Sequence, residues 1–263
     1  MAAYVALVRA GWRRWSAYRA ATLSGLATNV VFGFLRVAVL LAALDAAGPI
    51  AGYDRSTAIT YAWLGQGLIM TLAIWRWVEL ATRIHSGDVV TDLSRPVDLQ
   101  GAYLAEDLGR AGYQLVTRGV PPFLIGAVAY DVRVPGGAAT WLLFTVSLSL
   151  AIVVSFAMRF VVNLGAFWVL DFRGLHGAST VLVTVASGFA VPLAFFPGWL
   201  ETLLYALPWA AMVQAPIDVF LERHTGAGLA GVVALQALWS VALLGAGRLL
   251  LHAATRRVVV QGG

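Results

Sequence analysis

Cysteine and lysine are both missing from this sequence, and all 18 of its basic side chains are arginine. Without cysteine there are no disulfides, thiolate metal centres or cysteine nucleophiles. Without lysine there is no phosphate-binding loop of the GxxxxGK[ST] kind and no Schiff-base lysine. Charge is sparse too, at 12 % of residues against roughly a quarter in soluble domains. Apolar residues take its place: they fill 60 % of the 263 positions, and the mean hydropathy is +0.81. These values describe an integral membrane protein. The formal charge of +5 therefore bears on topology and on anionic lipid rather than on nucleic acid.

Residues 1–20 mix Tyr4, Val5, Leu7, Val8, Trp12 and Trp15 with Arg9, Arg13, Arg14 and Arg19, a pattern too polar to span. It predicts an interfacial amphipathic helix, with tryptophans at headgroup depth and arginines toward anionic lipid. A signal peptide is rejected, because the apolar run up to Leu44 is too long for one and no clear cleavage site follows.

Runs long enough to cross ~30 Å of hydrocarbon at ~1.5 Å per residue predict six spans, at residues 21–44, 56–75, 111–130, 138–165, 175–194 and 229–251. The fold class is thus all-α and membrane-embedded. Between the fifth and sixth spans, Pro197, Pro208 and Pro216 cut residues 195–216 into pieces too short to cross, which predicts re-entrant or interfacial half-helices.

The polar interruption at residues 76–110 is the most informative soluble surface. Between His85 and Asp98, fourteen positions carry Asp88, Asp92, Asp98, Arg95 and His85, a density of charge that cannot sit in hydrocarbon. Gly87-Asp88 reads as a turn, and Pro96 disfavours helix at Arg95, so a short element bounded by stops is expected. Tyr103 to Leu108 has the spacing of an amphipathic helix leading into the third span.

Six spans put both termini on one side. Arg9, Arg13, Arg14, Arg19, Arg76, Arg83, Arg95, Arg110, Arg173, Arg256 and Arg257 fall on that side, against Arg55, Arg133 and Arg223 opposite. The positive-inside rule makes that side cytoplasmic.

Several residues invite sharper readings. Asp88, Asp92 and Asp98 could ligate a metal, but their spacing fits no EF-hand and a solvated or partner-facing role is preferred. His85 has no nucleophile beside it and reads as a surface histidine. Arg36 lies mid-span, where a charge costs ~2.5–3.5 kcal/mol on insertion scales, so it must face a partner, a polar cavity or a subunit seam. Pairing with an acidic residue is preferred over contact with cargo. Arg118 can snorkel toward the cytoplasm. Gln66 and Asn163 are candidate path-lining residues, and Trp199 with Glu201 suits an outer gate or an interfacial anchor equally.

This layout resembles the permease subunits of ABC-2 type transporters. The likeness lies in the basic lead-in helix, six spans, a polar loop after the second span and broken half-helices before the last. Ser86-Gly87-Asp88 followed by Asp92-Leu93-Ser94-Arg95-Pro96-Val97-Asp98 is similar to a loop motif of one bacterial subgroup, as are Val191 to Pro197 and the closing Val260-Gln261-Gly262-Gly263. Ser94 departs from it, since the subgroup more often has an apolar residue there.

The resemblance implies a separate ATP-binding cassette ATPase that docks on the loop and binds ATP and Mg itself, leaving this chain without catalytic site, cofactor or metal. It places a coupling helix at residues 87–96, with Gly87, Asp88, Asp92, Leu93, Arg95 and Pro96 as the coupling residues. It also implies a second permease subunit, a related heteromeric partner being favoured over a homodimer, in a bacterial plasma membrane. The competing readings are an intramembrane lipid-modifying enzyme or protease and a non-catalytic assembly protein or channel. The enzyme is disfavoured because no HExxH, no GxSxG and no paired aspartates at span centres occur.

Overall fold

The computed structural model describes residues 1–75, 79–169 and 171–256. The closing Val260–Gly263 motif, Arg76 and Arg257 lie outside these. Among the described residues the structure is helical throughout, and the only β pairing is an isolated bridge between Ile50 and Tyr53. The helices are α1 (Ala2–Ser16), α2 (Arg19–Ala47), α3 (Arg55–Thr71), α4 (Glu79–Ser86), α5 (Val89–Leu93), α6 (Leu99–Gln114), α7 (Val120–Ala129), α8 (Ala138–Leu164), α9 (Arg173–Ala186), α10 (Gly198–Ala206), α11 (Gln214–Phe220) and α12 (Gly226–Thr255). Among the described residues, three helices are long and apolar enough to cross a membrane alone: Arg19–Ala47, Ala138–Phe167 and Gly226–Thr255.

Two elements add detail to the sequence expectation. The amphipathic stretch leads into the third apolar run as one helical path, α6 passing into α7 through a π-helical turn, Leu115–Gly119. Pro121 and Pro122 sit in the first turn of α7, where a missing N–H is least costly, so they do not stop the helix. The fifth run, in contrast, is helical only to Ala186. Gly188 adopts φ +82° and Pro192 follows, and the chain turns through a short 3₁₀ segment before α10.

α1 is stitched to α6 by backbone contact. A Cβ on Gly109 would lie 1.9 Å from the Val8 carbonyl oxygen, and one on Gly11 would lie 2.1 Å from the Glu106 carbonyl oxygen. Glycine at both crossing points is what lets the two backbones touch. Trp12 packs edge-on against Tyr113 at 5.5 Å, and Arg14 pairs with Glu79 at 2.7 Å.

α8 and α12 form a second long pair. They are joined by Gln236, which accepts from the Ser147 hydroxyl at 2.7 Å and donates to the backbone carbonyls of Ser147 and Ala211. Hydrocarbon provides little hydrophobic drive between helices, so such polar contacts and close packing hold the bundle.

Candidate functional site

The polar loop folds into two short helices at one end of the bundle. α4 ends at Ser86, Gly87 turns the chain with φ +81°, and α5 runs from Val89 to Leu93. Asp98 then opens α6 by accepting the Gly101 N–H at 2.7 Å. Leu80, Val89 and Leu99 are buried against Phe156, Ala157, Phe160 and Leu164 of α8, with Leu93 half-buried beside them. In water each fully buried aliphatic side chain contributes ~1.5–3 kcal/mol.

The opposite face presents Gly87, Asp88, Val90, Thr91, Ser94, Arg95 and Pro96 to solvent. Of the predicted coupling residues, Asp92, at 8 % exposure, and the half-buried Leu93 point inward. The Asp92 Oδ2 accepts the Arg83 Nε–H at 2.5 Å and the Tyr103 hydroxyl at 3.2 Å, while the exposed Arg95 guanidinium stands 3.9 Å from the other oxygen. The bond to Asp92 raises the Arg83 pKa. Burial, then the Asp92 charge, raises that of Tyr103. Asp92 is therefore the internal brace of a corner whose outer surface is Asp88, Val90 and Arg95.

Behind the corner lies a buried ionic cluster that local sequence patterns do not reveal. Asp107 of α6 receives Arg110 at 2.7 Å and Arg159 of α8 at 2.6 Å. Burial would raise the Asp107 pKa, but the two guanidiniums outweigh it and hold this carboxyl well below the usual carboxylate range. Arg110 also donates to the carbonyls of Met70 and Thr71, capping the C-terminal turn of α3. Asn163 of α8 donates to the Arg159 carbonyl and accepts the Ala81 N–H of α4 at 3.0 Å. Gln100 donates to the Leu244 carbonyl of α12 at 3.0 Å. The corner is thereby bonded to α8 directly, and to α3 and α12 by way of α6, whose Tyr103 reaches Asp92. The one available signal was Arg159 itself, a cation in an apolar helix that requires a counter-charge.

The five predicted path or gate residues do not gather in one place. Asn163 serves the hydrogen bonds just described. It is also the one of the five that lines a cavity of about 420 Å³ between α1, α4, α6 and α8. Gln66 is 1 % exposed, and its buried Oε1 has no hydrogen-bond partner among the described residues. Arg36 reaches from α2 to the break after α9, where it donates to the Phe189 carbonyl and lies 4.4 Å over the Phe189 ring. Among the described residues its partner is thus a backbone carbonyl and an aromatic face, where an acidic side chain was expected. Trp199 is 72 % exposed and Glu201 half-buried, both on α10. Arg118, in the π-helical turn, donates to Asn29 of α2 at 3.3 Å.

Three carbonyls of the break after α9 are engaged by other elements. The carbonyls of Ser187, Gly188 and Phe189 accept from the Gln214 backbone N–H, the Tyr61 hydroxyl and Arg36. Gln214, wholly buried, accepts from Tyr61 and from the Leu193 N–H, and donates to Asp218 and Tyr53. Irregular backbone in a membrane protein needs such partners from other elements.

A model of the family described as ABC-2 family transporter protein matches residues 28–262 of the chain. No curated protein matches it.

Proposed function

Because this chain belongs to the ABC-2 transporter family and is a transmembrane permease of that type, we propose that it is the membrane subunit of an ATP-driven exporter, powered through its α4–α5 corner. Membership implies association with an ATP-binding cassette ATPase. The proposed docking surface is formed by Gly87, Asp88, Arg95 and Pro96, with Asp92 and Leu93 holding it from within. ATP and Mg belong to that partner, and this chain contributes no catalytic group, cofactor or metal. Six spans with half-helices at α10 and α11 and cytoplasmic termini in a bacterial plasma membrane complete the reading. Two permease subunits form the path, a related second chain being favoured over an identical one.

The observation that carries the proposal is the bonding of the corner. An exposed charged element bonded to α8 through Asn163, and to α6 through Tyr103 and Asp92, would pass a push to α8 directly and, through Arg110 and Gln100 of α6, to α3 and α12. Bistable packed elements are the physical basis of such transmission. For the path, Arg36 Nη1 and Gln66 Oε1, buried and without a hydrogen-bond partner among the described residues, are groups that a polar cargo would satisfy, and Trp199 with Glu201 is the proposed outer gate.

The test is co-purification of the partner ATPase with wild type, Asp92→Ala and Arg95→Ala, followed by ATPase assay. Lowered association or turnover in both variants is expected. Unaltered assembly and turnover in both removes the coupling assignment.

A further inference from the structure

The cavity of about 420 Å³ beneath α1 is charged unevenly. On its α6–α8 side one carboxylate, Asp107, serves two guanidiniums, Arg110 and Arg159, which leaves one positive charge in excess. Asp107 and Arg110 are 8 % and 7 % exposed, and the buried Arg159 Nε–H has no hydrogen-bond partner among the described residues. On the α1–α4 side Arg14 pairs with Glu79. Glu106 beside them has no ion pair or side-chain hydrogen bond among the described residues, which leaves one negative charge in excess among those residues. The fourth arginine of the lining, Arg83, is neutralised by Asp92. Burial and then the Glu79 charge raise the Glu106 carboxyl, so a cation is wanting there as an anion is wanting at Arg159. Leu80, Phe156 and Phe160 supply an apolar wall. α1 adds Trp12, Trp15, Arg9 and Arg13, residue types that settle at headgroup depth.

We propose that this cavity binds a zwitterionic phosphate–ammonium headgroup of the phosphoethanolamine type, its phosphate toward Arg159 and its ammonium toward Glu106. The volume falls in the range of small-molecule sites, roughly 300–1,000 Å³. A purely anionic headgroup would meet Glu79 and Glu106 as like charges. A trimethylated ammonium carries the charge but no N–H to donate, whereas charge-assisted hydrogen bonds are the strong ones. The site goes beyond the coupling reading and stands without it, because binding here requires no ATPase.

The test uses the full-length chain, purified and exchanged into mixed vesicles of equal phosphatidylethanolamine, phosphatidylglycerol and phosphatidylcholine, with retained lipid read by native mass spectrometry. Phosphatidylethanolamine is expected to be retained about tenfold over the other two, the size of one charge-assisted contact. Glu106→Gln, at a half-buried position where shape is kept, is expected to bring it down to the phosphatidylcholine level with an unchanged melting temperature. Equal retention of all three lipids in wild type, or an undiminished preference in Glu106→Gln, overturns the proposal. Soluble phosphoethanolamine added as competitor separates the two sources of this chemistry. Displacement of lipid supports the site with a free metabolite as its ligand, and no displacement supports the site with a lipid headgroup.

Discussion

Arg83 of α4 donates its Nε–H to Asp92 of α5 at 2.5 Å, bridging the Gly87 turn from the inside. This bond separates two kinds of residue in a motif that looks uniform as sequence. Asp92 holds the corner, while Arg95, with a 63 % exposed side chain, is free to meet a partner.

Asp92→Ala strands the Arg83 guanidinium and the Tyr103 hydroxyl, and removing a charged hydrogen-bond partner at a buried position costs on the order of 2 kcal/mol. The expected outcome is a lower melting temperature together with several-fold weaker ATPase association. Arg95→Ala should keep the wild-type melting temperature and lose association alone. Thermal unfolding in detergent and co-purification, run on both variants, check this division.

Gly109→Val drives a side chain into the Val8 carbonyl, where even a Cβ would lie at 1.9 Å, so α1 has to lift from α6. Gly112→Ala meets only Trp12 at 3.4 Å, an ordinary contact. Protease accessibility of the first 16 residues should rise sharply in the first variant. In the second, accessibility should stay near wild type and stability within about 1 kcal/mol.

Gln214→Leu removes the group that ties Tyr61, Leu193 and Asp218 together beneath the break after α9. Each stranded buried partner costs ~1–3 kcal/mol, so a loss on the order of 3 kcal/mol is expected, read as a markedly lower melting temperature. Gln236→Leu makes an internal comparison, because it strands the Ser147 hydroxyl and carbonyl together with the Ala211 carbonyl at the α8–α12 seam.

His224 lies 3.7 Å from Asp218, and that contact raises its pKa against the opposing effect of burial. A histidine raised in the folded state contributes stability below its unfolded value of about 6.5 and loses it as pH climbs through the raised value. His224→Gln should therefore melt below wild type at pH 5.5 and coincide with it at pH 8.5. A deficit that is the same at both pH values would show that the histidine acts by packing alone.

How much of this was legible beforehand follows from which signals are local. Apolar runs, the polar loop and the stops at Gly87 and Pro96 are written in neighbouring residues, and hydropathy and turn chemistry read them directly. Pairing across the fold is not written locally. Asp107 and Arg159 are 52 positions apart. Arg36 finds its carbonyl 153 positions away, on a break whose other acceptors are served by Tyr61 and Gln214. The same holds for α1, whose tryptophans and arginines suggested a helix lying on lipid. Its tight seat on α6 depends on Gly11 meeting Glu106 and Gly109 meeting Val8, which composition alone does not disclose.

Since the chain contains no cysteine, a single introduced thiol can be followed without background. The most direct test of the central claim places one at Asp88, on the outer face of the corner, and one at Trp199 as its counterpart on α10, then adds a thiol-to-amine crosslinker to membranes in which the ATPase is co-expressed. Crosslinking of the ATPase from Asp88→Cys, with none from Trp199→Cys, is the predicted result. A thiol at position 88 that is labelled from outside the cell, or one that stays uncrosslinked while the ATPase still co-purifies, contradicts the account.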